Sequence, residues 1–315
     1  MSMSSTDTFH WTASARTDVG MVRKINEDAC IERPDIGMWA VADGMGGHSA
    51  GDLASGKIIE ALADVAHHDK MSALIADIET KLMQVNDELR DIAARQSMST
   101  VGSTVAVLVV KDRFGMCLWA GDSRVYRVRN GRLEQLTQDH AFVEDLVEKG
   151  ILSREDAANH PQSNLVTRAV GAQDGLKLDL EIFELNDQDM FVLCSDGLDK
   201  EVTAAEIADL GEREGAEKLS NELVELALSR GSRDNVTVVS VMVMVRNNAG
   251  TDSSKFNPPP AVPTEAAPGI ELTNDLTDAT RTDFGRLARA KVGSDQSHER
   301  MPDEDATIWR SEPKN

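Results

Sequence analysis

Short apolar runs alternate along this chain with longer segments in which apolar residues recur every three or four positions. The continuous runs indicate buried strands, whereas the wider spacing is typical of helices that bury one face. The predicted strands comprise residues 9–15, 29–31, 38–42, 103–110, 114–120, 124–129, 189–195 and 236–245. The predicted helices comprise residues 52–67, 71–95, 203–210 and 216–230, with two short ones near 141–149 and 153–159. The last predicted strand is nearly continuous valine and methionine, which predicts a central position in its sheet.

The order of these elements bears on the fold class. Strands come in clusters, and helices do not alternate with them regularly, which favours α+β layers over a doubly wound sheet. After residue 246, prolines and small polar residues replace the apolar pattern. We therefore expect one folded domain over residues 9–246, a disordered N-terminus over 1–8 and a disordered Pro-, Thr- and Asp-rich tail over 247–315.

Composition narrows the classes of function and location. The 315 residues carry a net charge of −21, most of it before residue 246, which argues against nucleic acid or an anionic membrane as partner. Cys30, Cys117 and Cys194 are far apart and show neither a disulfide framework nor a zinc-site spacing. A polar N-terminus and the lack of an apolar run of about 20 residues favour a cytoplasmic location.

Acidic residues recur where the predicted strands begin or end. The pairs are Glu27-Asp28, Asp43-Gly44, Gly121-Asp122, Asp196-Gly197 and Asp234-Asn235. Each pair taken alone is consistent with ordinary turn chemistry. If the strands share one core, however, these carboxylates converge on one edge, where they need cations to stay ionised. Mg²⁺ and Mn²⁺ prefer such all-oxygen sites, so the pattern allows either independent turns or one shared metal site.

A set of short motifs extends over residues 9–245 and carries a family resemblance. They are Thr17-Asp18-Val19-Gly20, Val22-Arg23, Asn26-Glu27-Asp28, Asp43-Gly44-Met45-Gly46-Gly47-His48, Gly102-Ser103-Thr104, Gly121-Asp122-Ser123-Arg124, Leu136-Thr137-Gln138-Asp139-His140, His160-Pro161, Thr167-Arg168-Ala169-Val170-Gly171, Ser195-Asp196-Gly197-Leu198 and Asp234-Asn235-Val236-Thr237. In this order they resemble the bacterial form of the metal-dependent Ser/Thr protein phosphatases of type 2C, the PPM family.

This resemblance implies both a fold and an activity. The fold is a four-layer α-β-β-α sandwich of two antiparallel sheets flanked by helices. The activity is hydrolysis of phosphoserine and phosphothreonine on proteins by water that two ions of Mn²⁺ or Mg²⁺ activate, with a more labile third ion. The expected partners are phosphorylated proteins, including a eukaryotic-like Ser/Thr kinase and its substrates. The alternative is a catalytically weak phosphoprotein-binding module of the same fold, a pseudophosphatase. The acidity of the chain disfavours a third reading, a metal-dependent nuclease.

The resemblance also implies which residues bind the two metals and which are catalytic. It implies that Asp43 bridges the two metals and that the Gly44 carbonyl binds one of them. Asp196 and Asp234 are then ligands of the first metal. Arg23 and Asp43 are the implied catalytic residues.

Further roles follow from the same resemblance. Glu27 and Asp28 are expected to act on the second metal, mostly through water, and Asp122 on the third. Arg23 is expected to bind the substrate phosphate, because a guanidinium donates two parallel hydrogen bonds to a phosphate group.

The chain departs from the family pattern at two positions. Some members carry a histidine, a proposed general acid, where this chain has Met45, and we expect the nearby His48 to pack in the turn. Many members carry Asp or Asn where this chain has Lys200, just after Asp199. A lysine there is expected to displace or weaken the third ion and to leave the two-metal site intact.

Two segments outside the metal motifs carry separate expectations. Residues 137–171 match the family's flap beside the active site, and we expect a mobile loop with short helices that influences substrate choice. In the tail, threonines in acidic settings suggest phosphorylation and docking of a phosphothreonine-reading domain, with an inert tail as the alternative. These threonines are Thr277, Thr280, Thr282 and Thr307.

Overall fold

The computed structural model describes residues 8–46, 50–98, 100–158 and 160–246, which form eleven strands and seven helices. The strands are β1 (Thr8–Asp18), β2 (Asp28–Arg33), β3 (Met38–Met45), β4 (Gly102–Ser103), β5 (Val105–Lys111), β6 (Phe114–Ala120), β7 (Arg124–Arg129), β8 (Arg132–Gln135), β9 (Asp179–Glu184), β10 (Asp189–Cys194) and β11 (Val236–Arg246). The helices are α1 (Ala50–Ala63), α2 (Met71–Gln96), α3 (Phe142–Glu148), α4 (Arg154–Ala158), α5 (Asp196–Asp199), α6 (Ala204–Arg213) and α7 (Ala216–Ser229).

The strands form two sheets in which neighbouring strands run antiparallel. The first sheet has the order β1-β11-β10-β7-β8. The second has the order β2-β3-β5-β6-β9, with β4 paired to β3. The β11 strand, predicted to be central, lies between β1 and β10 and is therefore internal, while β10 is the central strand of the five.

Alternation along β10 shows why these strands are apolar throughout. Phe191 and Leu193 pack between the two sheets, against residues such as Trp39 and Leu108 of the second sheet. Met190, Val192 and Cys194 point to the opposite face, where helices cover them. Because successive side chains in a strand alternate between faces, burial of both faces requires an unbroken apolar run.

Helices cover the outer face of each sheet and complete the four predicted layers. Helix α7 packs on β1 and β11, and α6 packs on β7 and β8. On the other side, α1 packs on β2 and β3, and α2 packs on α1. The predicted α-β-β-α sandwich of two antiparallel sheets is therefore confirmed. No helix in the described ranges combines the length and the apolar character that crossing a bilayer requires.

The structure corrects several predicted boundaries. The apolar run at 103–110 is divided at Thr104, whose backbone and hydroxyl both bond to Asp43 instead of continuing one strand. The helix predicted at 52–67 ends at Ala63, where the Arg33 guanidinium binds the last carbonyl. Strand β9 escaped prediction because it is a half-exposed edge strand in which three acidic residues interrupt the apolar ones.

Some predictions concern residues outside the described ranges. These are His48, the N-terminal segment except Thr8, which begins β1, and the tail 247–315 with its threonines.

Candidate metal and phosphate site

The register of the second sheet places two predicted ligands side by side. Asp28 and Asp43 are direct partners across β2 and β3, so their side chains share one face at the same end of the sheet. The backbone of Asp43 is fixed by Thr104, whose hydroxyl accepts from the Asp43 N–H at 3.0 Å and whose N–H donates to the Asp43 carbonyl at 2.8 Å. Asp122 follows β6 in the turn that leads to β7.

The first sheet contributes two more carboxylates at the same end. Asp196 begins α5 directly after β10, and Asp234 lies in the turn before β11. Ser195 connects the two sheets, because its hydroxyl donates to Asp28 Oδ2 at 2.6 Å and accepts from the Thr237 N–H at 3.1 Å. The five aspartates are called the carboxylate cluster below. They are Asp28, Asp43, Asp122, Asp196 and Asp234.

Burial and like charge act together on this cluster. Burial, and then the charges of neighbouring aspartates, raise the pKa of Asp43 well above its usual range. Burial raises the pKa of Asp28 to about 7, against the lowering effect of its hydrogen bonds from Ser195 and Thr237. Burial, followed by the charge of Asp196, raises the pKa of Asp122 to about 8. The protein therefore holds more negative charge here than its own groups compensate.

Two glycines allow Glu27 and the Gly44 carbonyl to lie close together. A Cβ on Gly51, in the first turn of α1, would stand 2.6 Å from Glu27 Oε1 and 2.7 Å from the Gly44 carbonyl oxygen. A Cβ on Gly44 would stand 2.0 Å from the Gly51 carbonyl oxygen. The charges of Glu27 and Asp43 also act on Arg23, which places Glu27 beside the carboxylate cluster.

Two basic side chains reach the cluster from opposite directions. Arg23 Nη2 lies 2.8 Å from Asp234 Oδ1, and Lys200 Nζ lies 2.5 Å from Asp196 Oδ2 and 3.4 Å from Asp234 Oδ2. Burial acts to raise the pKa of Asp234, but the charges of Lys200 and Arg23 outweigh it and the pKa is lowered. Among the described residues, these are the two cations in ion pairs with the cluster.

Asn235 has a structural function that the sequence did not reveal. Its Nδ2 donates to the carbonyls of Val19 at 2.9 Å and Ile25 at 3.0 Å, and its Oδ1 accepts from the Glu27 N–H at 2.9 Å. It therefore holds both ends of the loop that carries Arg23. The sequence signal for Asn235 was its place after Asp234 in a motif. Its contacts could not be predicted, because they join residues more than 200 positions apart in the chain.

A second charged network lies behind the cluster and was also missed. Arg124 donates to both Asp139 oxygens, at 2.6 to 3.0 Å, and its Nη1 lies 3.0 Å from Asp199 Oδ2. Burial raises the pKa of Asp199 to about 7, although Arg124 acts to lower it. The network fixes the start of β7 and the end of α5, which flank Asp122 and Asp196 respectively.

The predicted flap is attached to this end of the sandwich. The Gly121 N–H donates to His140 Nδ1 at 3.0 Å, and the His140 ring stacks on Trp119 with centroids 6.0 Å apart. The Ser103 and Val170 backbones exchange two hydrogen bonds at the other end of the segment. The short helices α3 and α4 lie between these attachments, as expected, whereas mobility and an effect on substrate choice stay predictions.

The donor chemistry of the cluster fits hard divalent ions. All the groups brought together are oxygens, the ligands that Mg²⁺ and Mn²⁺ prefer, and their uncompensated charge favours a cation. Within the described part of the chain, no three His, Cys, Asp or Glu side chains already stand in a metal-binding arrangement. Lys200, Arg23 and Ser195 contact carboxylate oxygens of Asp196, Asp234 and Asp28.

This sandwich, with a carboxylate cluster at one end, defines the class of protein. The family model described as Protein phosphatase 2C matches residues 23–229, and the chain belongs to this family. The resemblance predicted from the motifs is confirmed.

Particular relatives are bacterial phosphatases. The chain is 36% identical over 228 residues to the serine/threonine protein phosphatase PstP of Mycobacterium tuberculosis, which covers 72% of this chain and 44% of PstP. It thus spans less than half the length of that relative. It is 34% identical over 239 residues to the serine/threonine phosphatase Stp of Listeria welshimeri, covering 73% of this chain and 94% of Stp.

Solved structures agree with this assignment. PppA, described as a key regulatory component of T6SS in Pseudomonas aeruginosa, matches with a TM-score of 0.70 and 38% identity over 75% of this chain and 98% of PppA. The catalytic domain of PstP in complex with two manganese ions matches with a TM-score of 0.68 and 32% identity, over 75% of this chain and all of that chain.

Proposed function

We propose that this protein is a metal-dependent phosphatase that hydrolyses phosphoserine and phosphothreonine on proteins. The observation that carries the proposal is the carboxylate cluster, in which aspartates from both sheets meet beside an arginine, and burial and the charges of Asp196 and Asp234 act to raise the pKa values of Asp28 and Asp43. Such a concentration of charge is costly in a fold unless cations offset it. Membership of the type 2C family and the two manganese ions of a related catalytic domain support the same function.

We assign the metal ligands from the positions of the side chains. Asp43, Asp196 and Asp234 would hold one ion, and Asp43 would be shared with a second ion held through Glu27 and Asp28. The Gly44 carbonyl would bind one of the two ions. Bound Mn²⁺ or Mg²⁺ supplies the Lewis acidity that activates water at neutral pH and offsets charge on phosphoryl oxygens. Ser195 and Thr104 orient this set by fixing the Asp28 carboxylate and the Asp43 backbone.

Arg23 is placed to bind the phosphate of the substrate. Its side chain is 40% exposed, and its guanidinium is paired with one oxygen of Asp234 in the cluster. It donates from a planar fork, which matches two phosphate oxygens. Asn235 holds the Arg23 loop at both ends, so the guanidinium is presented from a fixed backbone.

The partners follow from the reaction. A phosphatase for phosphoserine and phosphothreonine reverses a protein kinase, so we propose a eukaryotic-like Ser/Thr kinase and its substrates as partners. A cytoplasmic location is part of the proposal and is supported by three free cysteines, two of them buried.

The test is hydrolysis of a phosphothreonine peptide and of a small aryl phosphate with Mn²⁺. The wild-type protein should release phosphate from both, and Asp43→Asn should lower kcat/KM by at least about 100-fold, because a preorganised charge at the reacting centre is lost. Asp209→Asn is the matched control, since Asp209 is an exposed aspartate paired with Arg213 on α6. A wild-type protein that binds the phosphopeptide but does not hydrolyse it would favour the pseudophosphatase alternative.

A further inference from the structure

Lys200 occupies a position in the carboxylate cluster that no other ammonium of the described residues shares. It follows α5 directly and lies one helical turn after Asp196, so its side chain folds back over that turn. Its Nζ lies 2.5 Å from Asp196 Oδ2 and 3.4 Å from Asp234 Oδ2. One ammonium thus joins two carboxylates that come from different elements.

The environment keeps this lysine charged and in place. Burial acts to lower the pKa of Lys200, but the carboxylates of Asp196, Asp234 and Asp43 outweigh it and the pKa is raised. Its charge also acts on Asp122, the remaining aspartate on that side of the cluster. Lys200 therefore places a fixed positive charge within the carboxylate cluster.

The contacts of Lys200 conflict with those of a divalent ion. An ammonium binds carboxylate oxygens at about 2.7 to 2.9 Å, whereas Mg²⁺ requires oxygens at about 2.0 to 2.1 Å in near-octahedral geometry. Both cations contact the same two carboxylates, and an ion that binds Oδ2 of Asp196 or of Asp234 must displace Nζ from that oxygen. The free energy of the contacts that Lys200 loses reduces the free energy with which the ion binds.

We propose that Lys200 is an internal cation that competes with divalent ions for Asp196 and Asp234, and thereby sets the metal affinity of the site. In the metal-free protein it holds the two carboxylates together and reduces their repulsion. This proposal rests on the proposed function only for the identity of the competing ion. It makes Lys200 a positioning residue, because it acts through the metal ligands.

The test is direct measurement of Mn²⁺ binding by titration calorimetry, without substrate. Lys200→Met keeps the length of the side chain and removes its charge, and it should bind Mn²⁺ at least about tenfold more tightly, which corresponds to about 1.4 kcal/mol. Lys200→Arg keeps the charge and should bind like the wild type. Lys57→Met is the matched control, because Lys57 is comparably exposed and pairs with Glu88 at 2.9 Å on the helical layer.

A second measurement observes Lys200 itself in the wild-type sequence and needs only the charge-retaining variant Lys200→Arg, for assignment of the signal. Lysines of the full chain are labelled by reductive ¹³C-methylation, and the signal of Lys200 is assigned by its loss in Lys200→Arg. Addition of Mg²⁺ should shift the Lys200 signal and leave that of Lys57 in place.

The outcomes separate the two proposals. Equal or weaker Mn²⁺ binding by Lys200→Met, or a Lys200 signal that Mg²⁺ does not move, would overturn the role of Lys200 and leave the phosphatase proposal standing. Wild-type protein that binds no Mn²⁺, or binds it equally well after Asp43→Asn, would instead remove the proposed metal site itself.

Discussion

Two kinds of carboxylate are shielded from solvent in this protein. One kind is paired with a cation within the fold, and the other lies beside further carboxylates. Asp189 is fully buried, yet Arg129 donates to both of its oxygens at 2.6 Å, so its charge is satisfied within the fold. Asp43 and Asp122 are surrounded by other aspartates, which raise their pKa values further above the effect of burial. A protein that keeps such unpaired acids at one end of its sheets is prepared for a cation from solution.

At the same scale, Arg23→Ala should weaken substrate binding without removing the metal site. Hydrogen bonds to charged groups contribute about 1.5 to 3 kcal/mol, so kcat/KM for an aryl phosphate at saturating Mn²⁺ should fall by about 10- to 150-fold. Arg23→Lys should retain part of this activity, since it keeps the charge but loses the planar fork. The adjacent exposed Lys24 is the control, and an equal loss in Lys24→Ala would show that only general positive charge is involved.

At the scale of elements, the flap is attached to β9 through a small ionic network. Asp179, at the start of β9, lies 2.7 Å from Arg168 Nη1 and 3.2 Å from His140 Nε2. His140 Nδ1 accepts a backbone N–H, so in the neutral ring Nε2 carries the proton and donates to Asp179. The bond from His140, and then Arg168, lower the pKa of Asp179 to about 2, although burial acts in the opposite direction.

This shift predicts how the network responds to acid. A lowered pKa in the folded state contributes stability above the unfolded pKa of about 4, and that contribution is lost as the pH falls towards 2. Asp179→Asn should therefore reduce the free energy of unfolding by up to about 1 kcal/mol near pH 6, since Asp179 is partly exposed, and by almost nothing near pH 2. Urea unfolding across this range, with chelator present, measures the difference. A difference that does not change with pH would contradict the assignment, and the exposed Asp174→Asn is the control.

Prediction from the sequence succeeded where burial on both faces leaves a continuous pattern. The runs of β6 and β10 were readable because neither face of those strands allows many polar side chains, and β7 was readable from its alternation of arginine with apolar residues. The aspartates at strand ends could be recognised in the sequence because they interrupt apolar runs. The position of Lys200 beside the site was expected, but its contact with Asp234 and the contacts of Ser195 and Asn235 were not predictable, because they depend on the register of strands far apart in the chain.

At the scale of the whole molecule, the metal site proposed at the carboxylate cluster would connect metal binding to stability. Aspartates from both sheets meet at one end, so an ion held there ties the two halves of the sandwich together. Any ligand that binds the folded state alone stabilises it, by about 2.7 kcal/mol at 100 times its Kd.

Removal of divalent ions should therefore lower the melting temperature. For a domain of this size, the stabilisation at that concentration corresponds to a shift of about 5 to 10 °C. Differential scanning calorimetry with chelator and then with Mn²⁺ measures it, and Asp43→Asn should show a much smaller response. An equal shift in the variant would mean that Mn²⁺ stabilises the protein from another place.

The first strand and the last are neighbours, with Thr8 opposite Arg246 and Asp18 opposite Val236. During synthesis on the ribosome, β1 emerges more than 200 residues before the partner that completes its side of the sheet. Asp28 and Asp43 are likewise translated long before Asp196 and Asp234. With the proposed ligands, a nascent chain therefore has no assembled metal site until nearly all of the domain has been translated, and we expect a product truncated before β11 to be inactive as well as unstable.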